Sequence, residues 1–326
     1  MSIKVEVKWG VHRPEEKFFT MPLVPGMMAK GLFISDLPRV LIVGESENFT
    51  FTAAFAALRR SINNIVTTTL EDLEPDWSEA VTAAIRWAKK NKRRGGSLND
   101  TTSFSISEVR ARYDNAFETP PAVGPTFISE VDARELHENP LASIRDHCGN
   151  IFFQCPYRVD ANGDTAKLIV DFMSSAALVQ NEGDKLYIGI TTEGRYAHAY
   201  NLRELIQDTA PEENYEFEGA DNTSIQKILD FGYKHTSRTG DIHFTILSHH
   251  VTLIFTKQAS DSDSTTTSDS DSTTTSDSDS TTTSDSDSTT STTSTTSTAT
   301  VDDLIKKVES MTTNDGQPSA TRNESN

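Results

Sequence analysis

The chain has 326 residues, 35% of them hydrophobic, and a formal net charge of −18. Residues 258–300 are almost only Ser, Thr and Asp in an S-D-S-D-S-T-T-T repeat, which predicts disorder because such a segment buries little apolar surface. Eight Asp lie there, and the rest of the chain still carries a charge near −10. This acidity excludes nucleic-acid binding through bulk charge, so any such contact needs a local basic patch.

The sequence also limits the class of protein. Two cysteines, Cys148 and Cys155, argue against a disulfide scaffold. The N-terminus lacks the apolar core of a signal peptide, and no apolar run approaches the roughly 20 residues that span a bilayer. We therefore expect a soluble intracellular protein of the nucleus, nucleolus or cytoplasm. His249 and His250 have no partners at metal-ligand spacing, so we predict no metal site.

The predicted elements begin after a lead-in, residues 1–37, whose alternating Ile3, Val5 and Val7 are typical of an edge strand. The predicted strands are residues 39–43, 64–69, 126–130, 150–155, 185–191, 215–218 and 251–256. The predicted helices are residues 51–62, 76–92, 106–117, 134–147, 165–181, 202–208 and 223–231.

This alternation of strands and helices indicates a doubly wound α/β sheet with mostly parallel strands. Residues 242–247 and 251–256 flank a Ser-His-His turn and predict an antiparallel hairpin at the edge of that sheet. We expect one Rossmann-like domain over residues 38–257, then the disordered repeat. The tail, residues 301–326, has a short segment with helical spacing.

The turn after the first predicted strand has the residues Gly44, Glu45 and Ser46. A dinucleotide site needs G-x-G-x-x-G, but positions 46 and 49 are Ser and Phe, and the Gly-Lys of a P-loop is also missing. Glu45 would repel a phosphate and suit a ligand with an amine. S-adenosylmethionine fits this requirement, since it has an ammonium, a sulfonium and no phosphate. The alternative is a plain glycine turn.

Five stretches carry a resemblance to a known family. They are G-E-S-E-N-F-T-F at 44–51, T-S-F-S-I-S-E-V-R-A-R-Y-D-N-A at 102–116, V-D-A-R-E-L-H at 131–137, F-Q-C-P-Y at 153–157 and G-Y-K-H-T-S-R-T-G at 232–240. In this order they resemble the BMT5-like Rossmann-like methyltransferase domains, whose characterised member methylates N3 of a uridine in large-subunit ribosomal RNA. The resemblance implies a class I methyltransferase that uses S-adenosylmethionine and acts on ribosomal RNA.

The resemblance assigns the cofactor to Gly44, Glu45, Ser46 and Asp132. Asp132 ends a predicted strand, where this fold commonly uses an acid to accept a hydrogen bond from the adenine amine. The alternative is an N-cap for the predicted helix 134–147, a position that Asp also favours.

The resemblance also places an acid for the ribose hydroxyls after the second strand, where Glu71 and Asp72 stand. Ordinary surface charges are the alternative for both residues. About 30 residues, near positions 73–99, look inserted here relative to the family pattern.

The predicted catalytic residues are Gln154, Pro156, Tyr157 and His235. The strand end resembles the N-P-P-Y of methyltransferases that act on planar nitrogens, in which an amide holds the target nitrogen and the aromatic ring stacks on the base. Stacking of this kind contributes roughly 1–3 kcal/mol per base. His235 is the candidate for a weak base toward uridine N3–H. The alternatives are a proline turn after a core strand and a solvated loop histidine.

The chain departs from the family pattern at its predicted site. Ser46 replaces the second glycine, and Gln154, Cys155 and Tyr157 replace Asn, Phe and His. These changes leave a methyltransferase-fold binding protein without turnover as an alternative. A nicotinamide oxidoreductase is a further rival, against which the failed dinucleotide motif argues.

A single dense basic run is present, W-A-K-K-N-K-R-R, with Lys89, Lys90, Lys92, Arg93 and Arg94. It is a candidate contact for RNA phosphates or a nuclear-import patch. The alternative is a solvated helix end, where cations are favoured by the helix dipole.

Overall fold

The computed structural model describes residues 1–6, 18–34, 36, 38–93, 104–117, 123–139, 144, 149–156, 164–192, 199–235 and 249–259. The chain divides into two units, Met1–Thr265 and Thr266–Asn326. Several predictions lie outside the described residues: the strand 242–247, the repeat from residue 260 onward and the tail helix.

Nine strands occur among the described residues. They are β1 (Ser2–Glu6), β2 (Phe18–Pro22), β3 (Val40–Val43), β4 (Ile65–Thr68), β5 (Thr126–Ile128), β6 (Asn150–Gln154), β7 (Lys185–Thr191), β8 (Tyr215–Asp221) and β9 (His250–Lys257). Seven of them form one sheet in the order β5-β4-β3-β6-β7-β9-β8. The pairs from β5 to β7 are parallel, and β9 is antiparallel to both β7 and β8.

This order confirms the predicted doubly wound, Rossmann-like sheet with mostly parallel strands. The central strands are continuous apolar runs because helices cover both faces of a parallel sheet. All four residues of β3, Val40–Val43, are buried. The antiparallel strand lies one position in from the edge, between β7 and β8.

The helices divide between the two faces of the sheet. They are α1 (Met27–Leu32), α2 (Thr50–Arg59), α3 (Trp77–Arg93), α4 (Ile106–Ala116), a 3-10 helix (Ala133–Glu138), α5 (Thr165–Ala177), a mixed helical segment (Leu202–Glu204, Leu205–Thr209 and Ala210–Glu212) and α6 (Ser224–Asp230). One core contains apolar residues of α1 to α4 and α6. The other core contains Leu136 of the 3-10 helix, Phe172 of α5 and Leu205 of the mixed segment.

The segment that looks inserted in the sequence contains α3, and this helix belongs to the core. Ala80, Ala84 and Ala88 lie four residues apart and are buried, so they form one narrow face of the helix. These small side chains allow the backbone of another segment to approach α3 closely, and the backbone at Gly232 does so. A Cβ atom at Gly232 would lie 1.8 Å from the carbonyl oxygen of Ala84.

The predicted helix 134–147 is corrected by the structure. The chain there begins as the 3-10 helix Ala133–Glu138, and Asn139 after it is extended (φ −64°, ψ 126°). Residue 140 is a proline, and the residue before a proline is driven out of the helical region.

The predicted edge strand of the lead-in is present as β1. It pairs with β2 in a separate two-stranded sheet.

Asp221, at the end of β8, ties the lead-in to the domain. Its side chain is 0% exposed and accepts hydrogen bonds from the backbone of Gly26 (3.1 Å) and Met28 (2.9 Å) at the start of α1. It also accepts from the backbone of Thr223 (2.9 Å) and Ser224 (3.0 Å) at the start of α6. One carboxylate therefore caps two helices that are distant in sequence.

The pKa of Asp221 follows from these contacts. Burial raises this pKa, but hydrogen bonds from the Ser224 hydroxyl and from the backbone N–H groups of Thr223, Ser224 and Met28 outweigh burial and leave it below its ordinary value. Because the folded pKa is below the unfolded one, the carboxylate stabilises the fold above about pH 4, the unfolded pKa of Asp. That stabilisation is lost as the pH falls through the folded pKa.

We expect Asp221→Asn to lower the free energy of unfolding by about 2–4 kcal/mol at pH 7, since it removes charge-assisted acceptors from buried donors. Urea unfolding followed by circular dichroism at pH 7, 5 and 3 measures this loss, which should shrink only at pH 3. Asp171→Asn is the control, because Asp171 pairs with Lys167 on the surface of α5. An equal loss at pH 3 and pH 7 would contradict the role of the charge.

Candidate functional site

The predicted cofactor turn begins where β3 ends, at the carboxyl edge of the sheet. Gly44 has φ +69°, and a Cβ atom there would lie 2.7 Å from the ring of Phe153 on the neighbouring strand β6. Only glycine combines this conformation with this close approach. The N–H of Glu45 then donates to the carbonyl of Thr68 at the end of β4 (2.8 Å). The turn is thus fixed against both neighbouring strands.

Glu45 is 8% exposed, and its carboxylate is held by the fold. One oxygen accepts from the backbone N–H (2.7 Å) and hydroxyl (2.6 Å) of Thr52 in the first turn of α2. The other accepts from the backbone N–H of Ser46 (3.1 Å). Burial raises the pKa of Glu45, and these hydrogen bonds oppose the rise.

Backbone N–H groups at the start of α2 are therefore already bonded to acceptors of the chain. Besides Glu45, the side-chain oxygen of Asn48 accepts from the backbone N–H of Thr50 (3.0 Å). A helix N-terminus binds phosphate through free N–H groups and its positive dipole. Here a carboxylate and an amide of the chain itself occupy that position, so the arrangement does not suit a pyrophosphate.

The neighbouring loops add further acidic groups. Glu71 and Asp72 are exposed after β4, and Glu130 is exposed after β5. Leu70, next to Glu71 in sequence, is 59% exposed. This part of the carboxyl edge combines negative charge with an apolar surface, which suits a cationic ligand that has a flat apolar ring.

Asp132 lies at the same edge and caps the 3-10 helix. Its carboxylate accepts from the backbone N–H of Arg134 (2.9 Å) and pairs with the Arg134 guanidinium (2.5 Å). The capping alternative from the sequence thus describes its contacts. The side chain is 21% exposed, and a hydrogen bond from Val131 N–H to Thr69 (2.9 Å) holds its loop beside the loop after β4. The adenine contact stays a prediction.

Gln154, the predicted amide, ends β6 next to the cofactor turn. It pairs in register with Gly189 of β7, and a Cβ atom at Gly189 would lie 2.1 Å from the Gln154 side-chain oxygen. Glycine at 189 therefore makes room for the amide. The backbone N–H of Cys155 donates to the Gly189 carbonyl (2.9 Å), which fixes the turn that follows, and Pro156 is buried.

His250 contacts this amide, although the sequence analysis gave it no role. Its Nε2 lies 3.1 Å from Nε2 and 3.3 Å from Oε1 of Gln154. His250 is 4% exposed, and burial lowers its pKa to about 3. Among the residues that the structure describes, its Nδ1 has no hydrogen-bond partner. Because β9 is antiparallel, its first residue lies at the carboxyl edge of its neighbours, opposite Thr191. The contact of His250 with Gln154 depends on this strand register, which the sequence pattern does not show.

His235, the predicted base, joins the same group through Tyr233. The Tyr233 hydroxyl lies 2.6 Å from His235 Nδ1. Burial raises the pKa of Tyr233, and the nearby Gln154 side chain opposes this rise. The loop is held by Gly232 against α3, and Lys234 N–H donates to the Thr50 hydroxyl (3.0 Å). The structure thus brings Gln154 and His235 together. Tyr157 lies outside the described residues.

Cys155 contributes no reactive thiolate to this site. Burial raises the pKa of its thiol to about 12, so it stays protonated at neutral pH, and the thiolate is the nucleophilic form. Gln154 Nε2 lies 3.4 Å from its sulfur, which gives the amide one further weak acceptor.

The basic run occupies the last turns of α3. The ammonium of Lys90 lies 4.1 Å from the ring centroid of Trp87, and the ammonium of Lys234 lies 5.4 Å from the same centroid. Lys92 is exposed and lies near Glu108. Lys234 therefore connects the loop that bears His235 to the basic end of α3. Arg94 lies outside the described residues.

Two features are absent from the ranges that the structure describes. None of the helices in these ranges has the length and apolarity to cross a membrane. Within the same ranges, no three His, Cys, Asp or Glu residues lie together as potential metal ligands.

No protein-family model and no curated protein matches the chain. Among solved structures, the 16S rRNA methyltransferase KamB is 10% identical, with 79% of this chain and all of that chain (100%) covered and a TM-score of 0.37. A 16S rRNA (adenine(1408)-N(1))-methyltransferase variant from Catenulisporales acidiphilia, crystallised with the cosubstrate SAM, is 12% identical (78% and 97% covered, TM-score 0.37). The 1,6-didemethyltoxoflavin-N1-methyltransferase of Burkholderia thailandensis is also 12% identical (68% and 72% covered, TM-score 0.33).

Burial of His250 predicts a dependence of stability on pH. Its folded pKa of about 3 lies below the ordinary value of 6.5, so between these values the unfolded chain binds a proton that the folded chain does not. The contribution of His250 to stability therefore falls as the pH drops below about 6.5, by about 2 kcal/mol between pH 7 and pH 5.

We expect His250→Gln to remove this part of the pH dependence, because glutamine can still pair with Gln154 and does not titrate. Urea unfolding at pH 7 and pH 5 compares the variant with the wild-type protein. His249→Gln, at the exposed neighbouring position, is the control and should keep the wild-type dependence. Identical pH dependence in His250→Gln and wild type would show that His250 is not held neutral.

Proposed function

We propose that the protein is an S-adenosylmethionine-dependent RNA methyltransferase that acts on a base ring nitrogen, such as uridine N3 of large-subunit ribosomal RNA. One observation carries the proposal: an acidic turn that does not suit phosphate and an amide held by a hydrogen-bond network lie on adjacent strands. Gly44, which follows β3, and Phe153 on β6 approach each other closely at this point. Ligands of doubly wound sheets bind at this carboxyl edge.

The charge of the edge supports S-adenosylmethionine over a phosphate-bearing cofactor. Its ammonium and sulfonium are cationic, and the loops after β3, β4 and β5 contribute Glu45, Glu71, Asp72 and Asp132. Glu45 acts here through its charge and through the shape it gives the turn, since its oxygens are bonded to Thr52 and Ser46. Leu70 offers an apolar surface for the adenine ring.

The chemistry requires in-line placement of three atoms. S-adenosylmethionine, when bound, supplies a methyl group whose bond to sulfur breaks as its bond to the ring nitrogen forms, and the ring N–H proton is released. The chain has to orient the base, and such positioning contributes roughly 7–11 kcal/mol of barrier reduction in favourable cases. We assign this role to the Gln154 amide and the Pro156 turn, with Tyr157 stacking on the base.

RNA is the proposed partner because the basic surface is continuous with the site loop. Lys234 is adjacent to His235 in sequence, and both Lys234 and Lys90 lie over Trp87. Holding two ammonium groups at one ring concentrates positive charge on an acidic protein. A phosphodiester backbone would offset their mutual repulsion.

For the cofactor, we expect Asp132→Ser to weaken S-adenosylmethionine binding about 5- to 10-fold in calorimetry, because serine keeps the helix cap but does not reach an adenine amine. Asp164→Ser is the matched control, since Asp164 caps α5 by accepting from Lys167 N–H (3.0 Å). No detectable binding to the wild-type protein at millimolar cofactor would contradict the proposed function.

Turnover is tested with tritiated S-adenosylmethionine and total RNA, wild type against Tyr157→Ala. We expect label in RNA for the wild type and a large loss for the variant. Cofactor binding with no label in any RNA would instead favour the alternative, a methyltransferase-fold binding protein without turnover.

For RNA, we expect the double variant Lys90→Gln and Lys234→Gln to bind a labelled single-stranded oligoribonucleotide about 10-fold more weakly. Loss of two phosphate contacts should also make the log–log salt dependence shallower by about 1.4. Fluorescence polarisation across a KCl series measures both. The double variant Lys4→Gln and Lys30→Gln, two exposed lysines elsewhere, should leave both values unchanged. Equal weakening by the two double variants would argue for non-specific charge.

A further inference from the structure

Both backbone polar groups of Lys234 are bonded to the segment that follows the predicted cofactor turn. The N–H of Lys234 donates to the Thr50 hydroxyl (3.0 Å), and its carbonyl accepts from the Asn48 side-chain amide (3.2 Å). Thr50 is buried, and Asn48 and Lys234 are half-buried. These contacts join residues 184 and 186 positions apart in sequence, so they connect the start of α2 to the loop after α6.

A third hydrogen bond closes these contacts into a hydrogen-bonded ring. The Thr50 hydroxyl lies 2.7 Å from the Asn48 side-chain oxygen and 3.3 Å from the Lys234 carbonyl. A hydroxyl has one proton to donate, and the shorter contact assigns it to Asn48. Lys234 N–H thus donates to Thr50, Thr50 donates to Asn48, and Asn48 donates to the Lys234 carbonyl. Each member donates once and accepts once in this ring.

The orientation of the Asn48 amide follows from its neighbours. Its oxygen faces two donors of Thr50, the backbone N–H (3.0 Å) and the hydroxyl, whereas its nitrogen faces the Lys234 carbonyl. A flipped amide would place its NH2 group against the Thr50 N–H and its oxygen against the Lys234 carbonyl, and both contacts would be repulsive. The hydrogen-bonded ring therefore needs a residue at position 48 that accepts at one atom and donates at another.

Backbone strain at Phe49 shapes this segment. Phe49 has φ +48°, a conformation that bulky side chains rarely adopt. The hydrogen bond from Thr50 N–H to the Asn48 oxygen closes an Asx turn around it. Phe49 is 3% exposed and makes edge-to-face contacts with Trp77 and Phe127. Such strain persists only where the surrounding packing imposes it, so buried aromatic side chains hold this turn in place.

Lys234 brings its ammonium to the basic end of α3. That ammonium lies 5.4 Å from the centroid of the Trp87 indole, and the ammonium of Lys90 lies 4.1 Å from the same centroid. A lysine side chain is long and flexible, so the position of its backbone determines what its ammonium can reach. The close approach of Gly232 to Ala84 holds the loop against α3, and the hydrogen-bonded ring holds the Lys234 peptide two residues later.

We propose that Asn48 is a positioning residue for RNA binding, which fixes the Lys234 backbone and thereby places the ammonium of Lys234 at Trp87. The segment after the predicted cofactor turn then serves the RNA side of the site, a role that the sequence analysis did not give it. The contact of Lys234 with RNA phosphates rests on the proposed function. The placement of Lys234 by Asn48 does not rest on it.

A double-mutant cycle tests this placement with neither cofactor nor RNA. The full-length protein is labelled with 5-fluorotryptophan, and Trp87→Phe assigns the 19F signal of Trp87. Asn48→Ser keeps an acceptor for the turn and removes the donor to Lys234. We expect Asn48→Ser and Lys234→Gln each to shift the Trp87 signal, and the double variant to show the shift of Lys234→Gln alone. Additive shifts, or no shift with Asn48→Ser, would overturn the proposal.

Asn91→Ser is the matched control, because the Asn91 amide also donates to a backbone carbonyl, that of Leu229 in α6 (3.1 Å). Any shift of the Trp87 signal that Asn91→Ser causes should add to the shift of Lys234→Gln. If Asn48→Ser does not fold, Asn48→Asp takes its place in the fluorine spectra, since it keeps the turn and replaces the donor by an oxygen.

RNA binding gives the functional half of the test, measured by fluorescence polarisation with the labelled single-stranded oligoribonucleotide. We expect Asn48→Ser and Lys234→Gln each to weaken binding about 3-fold, and the double variant also about 3-fold instead of the roughly 9-fold of independent effects. Asn91→Ser should leave the RNA affinity unchanged. The S-adenosylmethionine affinity of Asn48→Ser in calorimetry should equal that of the wild type, and a loss confined to the cofactor would contradict a role in RNA binding.

The outcomes separate this inference from the proposed function. A wild-type protein that binds no RNA, with Trp87 signals that follow the expected cycle, would reject RNA as the partner and support the placement of Lys234 by Asn48. RNA binding with additive effects of the two substitutions would reject this inference alone.

Discussion

The antiparallel direction of β9 is the constraint on which the β7-β9-β8 end of the sheet depends. By running antiparallel between β7 and β8, β9 joins β8 to the sheet and delivers His250 to the edge where the parallel strands end. β8 in turn carries Asp221, which holds the lead-in helix α1. A parallel β9 would place its first residue at the opposite edge, and the Gln154 amide would lose its buried partner.

Buried carboxylates explain part of how so acidic a chain folds. Glu45 and Asp221 each lie at the start of a helix, where a negative charge meets backbone N–H groups and the positive end of the helix dipole. Both acids lie at the carboxyl edge of the sheet, Glu45 in the turn after β3 and Asp221 as the last residue of β8. The fold therefore uses internally the positions at which a phosphate-binding protein would hold its ligand.

Sequence patterns predicted most of the sheet because buried parallel strands are short apolar runs, and residues 185–191 match β7 in full. They failed at 134–147, where Asn139 before a proline overrode helical spacing. The resemblance pointed to Gln154 and His235, which the structure brings together. His250 and Gly189 could not be found this way, since the contact of His250 with Gln154 spans 96 residues and depends on strand register. The contact of Tyr157 with a base stays a prediction.

The close approach of Gly232 to Ala84 couples the loop of His235 to α3. Ala84 belongs to α3, in the segment that looks inserted in the sequence. This helix therefore limits how far the loop can move toward it. Side-chain size at the two positions is consequently restricted as a pair. In a set of related chains that share α3, positions 84 and 232 should vary together, and a chain without α3 would be free to carry a larger residue at 232.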